Sequence, residues 1–258
     1  MLSNRKIALA VLLPLATLVV GVAAAEKPVT VVVGNLRLAF NGGLTPKALP
    51  RTRPVPVTFS GSGLITTTDG SHPPALEEFI LETDRNAFLD ISGVPTCRAA
   101  RLQAQDSAHA RAACHRSIIG TGTGKVEIAF PEQAPIRATS PLTIFNGGER
   151  GGVATLYVHI YVSVPAPAAV VTTVRISRIH HGRYGLRSVA VVPRIAGGSG
   201  SATFFSFTIN RSLDVDGKRL SVLRARCPDG HLQAHGAVRF SNSVRAAADV
   251  LRRCVGRP

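Results

Sequence analysis

The residues best suited to binding a ligand stand at alternate positions in one stretch of the chain: Tyr157, His159 and Tyr161. They include two of the three tyrosines in the protein. Tyrosine and histidine each offer a flat ring and a hydrogen-bonding group, which suits sugars and other polar ligands. Alternate residues of a β-strand share one face of a sheet. We therefore predict that these three side chains form the floor of a binding groove; a solvated or loop-covered sheet face is the alternative.

The stretch that carries them is the most regular in the sequence. Its remaining positions are aliphatic without a break: Ala154, Leu156, Val158, Ile160, Val162 and Val164. A strict period of two is typical of a β-strand with one face against a core. The pattern predicts a long central strand, ended by Pro165 and Pro167.

Similar alternating runs, separated by turns rich in Gly, Pro and Asp, recur along the chain and give about a dozen predicted strands. This pattern predicts an all-β fold, an antiparallel β-sandwich over residues 26–258. A β-barrel or two small β-sandwich domains are the alternatives, with a possible domain boundary at 131–141.

One short helix is expected near 107–118. Asp106 or Ser107 is a suitable N-cap and Gly120 a suitable terminator. The run Gly120–Gly124 follows that helix and precedes a strand, so it is interpreted as a C-cap and linker rather than a phosphate-binding loop.

The four cysteines are even in number, which in an exported chain favours structural disulfides. Cys227 and Cys254 flank two alternating runs that meet at a turn over 241–243, so an antiparallel hairpin brings them together. Cys97 is then expected to pair with Cys114.

Residues 1–25 have the features of a secretory signal peptide. Arg5 and Lys6 precede an apolar run, and Ala23–Ala25 offers small residues for cleavage near Ala25. We expect a secreted, extracellular protein with no transmembrane segment after cleavage; a retained anchor is the alternative. Cleavage lowers the formal net charge from +15 to +13, since it removes two basic residues.

Other residues that could bind a metal or act in catalysis do not have the spacing that such sites require. His231 and His235 stand four apart, which on a strand separates them by about 13 Å, too far to share one metal ion. Gly197–Ser201 lacks the final glycine of a nucleophile elbow. We find no catalytic motif and expect a non-enzymatic protein with no metal and no cofactor.

The basic charge is carried mostly by arginine, and the C-terminal hairpin is the most basic region. Export and the lack of interleaved aromatic residues argue against nucleic acid as the partner. An anionic cell-wall polymer or surface is the expected partner. The sequence leaves the oligomeric state open.

Several short features occur together: Pro-Thr-Cys97, an Ala-x-x-x-Cys114 helix with a Gly120-x-Gly122 exit, and a terminal Cys-Pro-x-Gly hairpin. In these the chain resembles uncharacterised secreted β-rich proteins of high-GC Gram-positive bacteria. The resemblance covers most of the mature chain, implies a secreted location and a β-rich fold, and transfers no functional residue.

These observations favour a non-enzymatic secreted or cell-surface β-protein that binds anionic envelope polymers. An extracellular carrier, in which the strands enclose an apolar cavity for a small ligand or lipid, is the main alternative. A secreted hydrolase is the third hypothesis.

Overall fold

The computed structural model describes residues 26–215 and 218–257, so the predicted signal peptide lies outside the described residues. These residues form nineteen strands and one α-helix, Ser107–Ala113 (α1). The strands, in chain order, are Val29–Val33 (β1), Leu36–Thr45 (β2), Ala48–Pro50 (β3), Val55–Pro56 (β4), Thr58–Thr67 (β5), Leu76–Asp84 (β6), Ala87–Leu89 (β7), Ile118–Ile128 (β8), Ile136–Arg150 (β9), Val153–Val162 (β10), Ala168–His181 (β11), Tyr184–Val191 (β12), Gly200–Ile209 (β13), Ser212–Val215 (β14), Lys218–Ser221 (β15), Leu223–Ala225 (β16), His231–Phe240 (β17), Arg245–Arg253 (β18) and Val255–Arg257 (β19).

Twelve of the strands form one antiparallel sheet, in the order β1-β2-β5-β13-β8-β9-β10-β11-β12-β6-β17-β18. Its two end strands, β1 and β18, approach each other to within 8 Å between Cα atoms. The sheet therefore curls into a nearly closed barrel. The prediction of an all-β fold is confirmed. The described residues form more strands than the predicted dozen, because seven short strands lie outside the twelve-stranded sheet, and this sheet takes the barrel form that the sequence left as an alternative. Residues 131–135, within the possible domain boundary, form the turn between β8 and β9 of this same sheet.

The remaining strands form three small sheets, β4-β16-β7, β19-β3 and β14-β15. Ala225 of the β4-β16-β7 sheet and Leu49 of the β19-β3 sheet are fully buried, and both pack with Leu232 at the start of β17. Both sheets therefore lie over the end of the barrel where β17 begins.

Both predicted disulfides are present. Cys97 is bonded to Cys114 with 5.7 Å between their Cα atoms, and Cys227 to Cys254 with 6.1 Å. Residues 97–117, which we call the disulfide cap, contain α1 and two 3-10 turns. The helix begins where predicted, since the Asp106 carboxylate accepts a hydrogen bond from the His109 backbone N–H. It ends earlier than predicted, at Ala113, because the chain must turn back for Cys114 to meet Cys97.

The interpretation of Gly120–Gly124 as a C-cap and linker is wrong, because these residues lie inside β8. These glycines allow neighbouring strands and side chains to approach the backbone of β8 closely. A Cβ atom on Gly122 would overlap the Ser206 carbonyl oxygen of the neighbouring strand β13, and one on Gly124 would lie 2.6 Å from Ile160 Cδ1. Glycine in a strand interior marks such approach.

Candidate ligand-binding cavity

The outer face of β10 carries the predicted groove residues, and the disulfide cap covers it. Tyr157 packs against a buried cluster that includes the Cys97–Cys114 disulfide and Phe145. Tyr161 lies further along the same face and is half-buried; its backbone N–H donates to Ser140 Oγ. The strand therefore places these residues on one face as predicted, but this face is not an open groove.

His159 is fully buried between the sheet and the cap. Its Nε2 lies 3.0 Å from the Gln105 carbonyl oxygen, to which it donates. Its Nδ1 has no hydrogen-bond partner among the described residues, nor does the buried Oγ1 of Thr143, directly opposite on β9. Burial lowers the pKa of His159. The histidine therefore anchors the cap in its neutral form and is not presented to a ligand at the surface.

The inner face of the barrel encloses a cavity of about 360 Å³. Most of its wall is aliphatic or aromatic, and Leu156, Val158 and Ile160 of β10 contribute to it. Eight strands close into a barrel that side chains fill, so a twelve-stranded barrel has a wider interior than its side chains occupy. The sequence predicted the aliphatic face but not the space in front of it.

A row of five phenylalanines lines one part of the cavity wall. Successive ring centroids along it lie 5.6–6.5 Å apart, in the order Phe40, Phe79, Phe205, Phe207 and Phe59. Glycines make room for two of these rings: Cβ atoms on Gly61 and Gly63 would lie 2.8 Å from the Phe207 ring and 2.5 Å from the Phe205 ring. Alternate glycines in a strand pattern were the sequence signal for this wall, and our sequence analysis missed it.

The barrel is not joined by backbone pairing between β1 and β18 in the described part of the chain. We call this line the seam. β1 pairs with β2 only up to Phe40, so beyond this residue β2 faces β18 directly. Arg252 of β18 bridges the distance: its Nε donates to the Gly42 carbonyl oxygen at 2.6 Å and its Nη2 to Asn41 Oδ1 at 2.8 Å. Residues from both sides of the seam line the cavity.

A polar cluster lies on the outer face of the barrel, away from the cavity. The Tyr184 hydroxyl donates to Asp249 Oδ1 at 2.9 Å, and His235 Nδ1 lies 2.9 Å from the same oxygen. Burial and the Asp249 carboxylate raise the pKa of Tyr184 to about 12, while the hydrogen bond from His235 lowers the pKa of Asp249. These contacts tie β12 to β18 across two intervening strands.

Ser201, His72 and Glu127 form a hydrogen-bonded chain that the sequence did not predict. Ser201 Oγ lies 3.1 Å from His72 Nε2, and His72 Nδ1 lies 3.1 Å from Glu127 Oε1. A serine nucleophile and its base are connected in this order. However, Ser201 is 1 % exposed, and its hydroxyl donates to the Pro73 carbonyl oxygen at 2.5 Å, so its proton is directed away from the histidine. The chain of contacts fastens the loop 68–75 to the barrel.

Within residues 26–215 and 218–257, no group of three or more His, Cys, Asp or Glu side chains is placed to hold a metal ion. In the same part of the chain no helix has the length and apolar character needed to cross a membrane. Searches of family models, curated proteins and solved structures gave no match to this chain.

Proposed function

We propose that this protein is a secreted carrier that binds an apolar small molecule or lipid inside its barrel. The observation that carries the proposal is the cavity of about 360 Å³ with its largely aliphatic and aromatic wall. Ligand sites in proteins are typically concave, of this size or larger, and mostly apolar. The two disulfides support an extracellular location, because such bonds persist in oxidising compartments.

The wall offers an apolar ligand a favourable environment. Burying apolar surface contributes about 25 cal/mol per Å². Polar side chains are a minority in the wall, and one of them, Thr83, has a buried hydroxyl oxygen with no hydrogen-bond partner in the described chain. A ligand with a long hydrocarbon chain therefore matches this interior better than a sugar does.

Filling the cavity from within tests the proposal. Gly236 faces the cavity, and a Cβ atom built on it would have no neighbour closer than 3.9 Å. Gly236→Leu therefore places a side chain in the ligand space without a backbone clash. Ala237→Leu is the matched control, since the next residue of a strand points to the opposite face.

We expect wild-type protein to bind decan-1-ol in titration calorimetry with a decrease in heat capacity, which marks burial of apolar surface. Gly236→Leu should weaken this binding by about tenfold or more, which corresponds to about 1.4 kcal/mol. Ala237→Leu should bind like wild type. Native mass spectrometry of gently purified protein should also detect a co-purified lipid. The proposal is wrong if wild-type protein binds no apolar probe, or if the two variants bind equally well.

A second candidate function is association with anionic envelope polymers, and the exposure of Arg245, Arg253 and Arg257 near the C-terminus favours it. Binding of this kind weakens as salt screens the charges. We expect the protein to pellet with purified cell wall at low salt and to be released at high salt. Protein that stays in the supernatant at low salt would exclude this function. Gly236→Leu should pellet like wild type, since the cavity takes no part.

A further inference from the structure

Seven charged residues line the cavity in the described part of the chain, and four of them lie at or near the seam: Lys47, Arg252, Arg253 and Glu26. The other three, Asp84, Lys125 and Arg224, lie elsewhere in the wall. The interior away from the seam is largely apolar, so the boundary of the cavity is polarised. One side offers hydrocarbon contacts, and the other offers positive charge beside an exit to water.

Arg252 occupies the inward-facing register of β18, following the cavity-lining residues Ala248 and Val250. Its side chain is only 15 % exposed. A guanidinium group removed from water is costly unless an anion or several acceptors compensate it. All three guanidinium nitrogens of Arg252 donate to neutral acceptors, Nε to the Gly42 carbonyl, Nη1 to the Leu251 carbonyl and Nη2 to Asn41 Oδ1, so an anion is needed to compensate the charge rather than the donors.

Glu26 supplies the anion at this position. Its Oε2 lies 2.9 Å from Arg252 Nε, and its Oε1 lies 3.0 Å from Lys47 Nζ. One carboxylate therefore bridges two bases at the edge of an apolar cavity. Lys47 is 51 % exposed, so the bridge lies at the boundary with solvent. A ligand that carries its own anion at the end of a hydrocarbon chain would place the two parts in matching surroundings.

We propose that the ligand is an amphiphile with a hydrocarbon chain and a single anionic head, and that the head binds Arg252 and Lys47 at the seam in place of the Glu26 carboxylate. This inference rests on the proposed carrier function, since it requires that the hydrocarbon chain enter the cavity. The head is a carboxylate or a phosphate, two anions that can take the position of the Glu26 carboxylate between the positive charges of Arg252 and Lys47.

Three probes with the same ten-carbon alkyl chain test the inference: undecanoate, decyl phosphate and decan-1-ol, titrated into wild-type protein. At least one of the anions should bind about tenfold more tightly than the alcohol, because its head makes charge-assisted contacts that the hydroxyl does not. The anion that binds more tightly identifies the head. The preference should shrink as salt is raised, because part of the site is exposed.

Variants of the bridge separate the residues. Arg252→Gln and Lys47→Gln should each lower the ratio of anion affinity to decan-1-ol affinity, since each removes one positive charge from the seam. Glu26→Gln should act in the opposite direction and tighten anion binding, since it removes the competing carboxylate. Arg245→Gln is the matched control: it removes the same charge from an exposed position of the same strand. Lys47→Gln keeps the test valid if Arg252→Gln fails to fold.

The outcomes distinguish the two proposals. If anions and alcohol bind equally and the variants leave their ratio unchanged, the inference about the head is wrong, while the carrier function stands. If none of the three probes binds, the carrier function fails and this inference fails with it. If Arg245→Gln lowers the anion preference as much as Arg252→Gln, general charge explains the preference and the seam site is excluded.

Discussion

The two faces of β10 are covered in different ways. On the inner face, Val158 and Ile160 border an unfilled cavity and are only half-buried by protein. On the outer face, His159 is fully buried beneath the disulfide cap, and Phe145 of the adjacent strand is fully buried beside it. In the middle of the strand, the aliphatic side chains of Val158 and Ile160 thus face the cavity, whereas the imidazole of His159 is covered by the cap.

This difference shows that alternation determines which residues share a face but not what covers the face. The space in front of the inner face depends on how many strands form the barrel, since the side chains of a twelve-stranded barrel do not fill its interior. The outer face depends on a segment some 50 residues earlier in the chain, which reaches it through contacts such as His159 with Gln105. The space that the proposed carrier function requires therefore lies on the aliphatic face of β10.

The largest expected effect is the loss of stability when a phenylalanine under the cap, rather than one at the cavity, is replaced by alanine. Phe145 lies under the cap with no exposed surface, so Phe145→Ala should lower the free energy of unfolding by about 3–5 kcal/mol. Phe79 borders the cavity and loses fewer contacts, so Phe79→Ala should cost roughly 2 kcal/mol. Urea denaturation of both variants measures the difference. Equal losses would show that the cavity wall is as tightly packed as the cap.

The second prediction concerns the disulfides. Replacing Cys97 and Cys114 by serine should lower the free energy of unfolding by about 3 kcal/mol, because the unfolded chain is no longer restricted by the bond. The rate of hydrogen exchange in the cap should also rise. Binding of decan-1-ol should stay near the wild-type value, because the cap covers the opposite face. Replacing Cys227 and Cys254 should cost a similar amount but also weaken binding, since Cys254 borders the cavity. If the first pair weakens binding as much as the second, the two faces are coupled.

The third prediction concerns the buried histidine. Burial lowers the pKa of His159 in the folded protein, with the hydrogen bond to the Gln105 carbonyl and the nearby Asp106 carboxylate opposing the shift. The unfolded chain has the usual histidine pKa of about 6.5, so below that pH it binds a proton that the folded state does not. Stability contributed by the neutral ring is therefore present above about pH 6.5 and is lost as pH falls, by at most about 1.4 kcal/mol per pH unit.

Denaturation of wild type and His159→Gln between pH 7 and pH 5 isolates this contribution, because the other histidines are common to both proteins. The glutamine retains a donor for the Gln105 carbonyl oxygen but does not titrate. We expect a shallower fall in stability for the variant. Parallel curves would show that His159 takes up a proton equally in both states.

Much of the fold was readable from local patterns. The alternation in β10 and the hairpin symmetry around residues 241–243 predicted strand faces and the Cys227–Cys254 pairing, because both depend on short-range geometry. Asp106 predicted the start of α1 for the same reason. The extent of β8 was missed, since glycines that permit close strand approach have the same composition as a linker.

The candidate site was not readable in the same way. The sequence ranked Tyr157, His159 and Tyr161 first because of their chemical types, whereas the cavity depends on distant strands. Arg252 and Glu26 are separated by more than 200 residues and meet only when β1, β2 and β18 approach one another. No local sequence pattern predicts this contact, and its charge alone does not distinguish Arg252 from the many other arginines.

The smallest expected effect on stability comes from making the same substitution, valine to isoleucine, on each of the two faces of the sheet. Val158 and Val171 lie on neighbouring strands, Val158 toward the cavity and Val171 toward the cap, where it packs against the buried cluster that includes the disulfide. Valine to isoleucine adds one methylene group and keeps the branched shape that strands favour. At Val158 the added group enters unfilled space, so stability should rise by up to about 0.8 kcal/mol.

At Val171 the same group must displace packed atoms, and overpacking typically costs about 1–3 kcal/mol, with the lower end expected for one methylene. Thermal and urea denaturation of both variants should therefore give changes of opposite sign. If Val171→Ile is also stabilised, space remains beneath the cap, and the outer face of β10 would regain its place as a site to search for ligands. If Val158→Ile is destabilised, the inner wall is closer to full packing than the cavity implies, and the carrier proposal weakens with it.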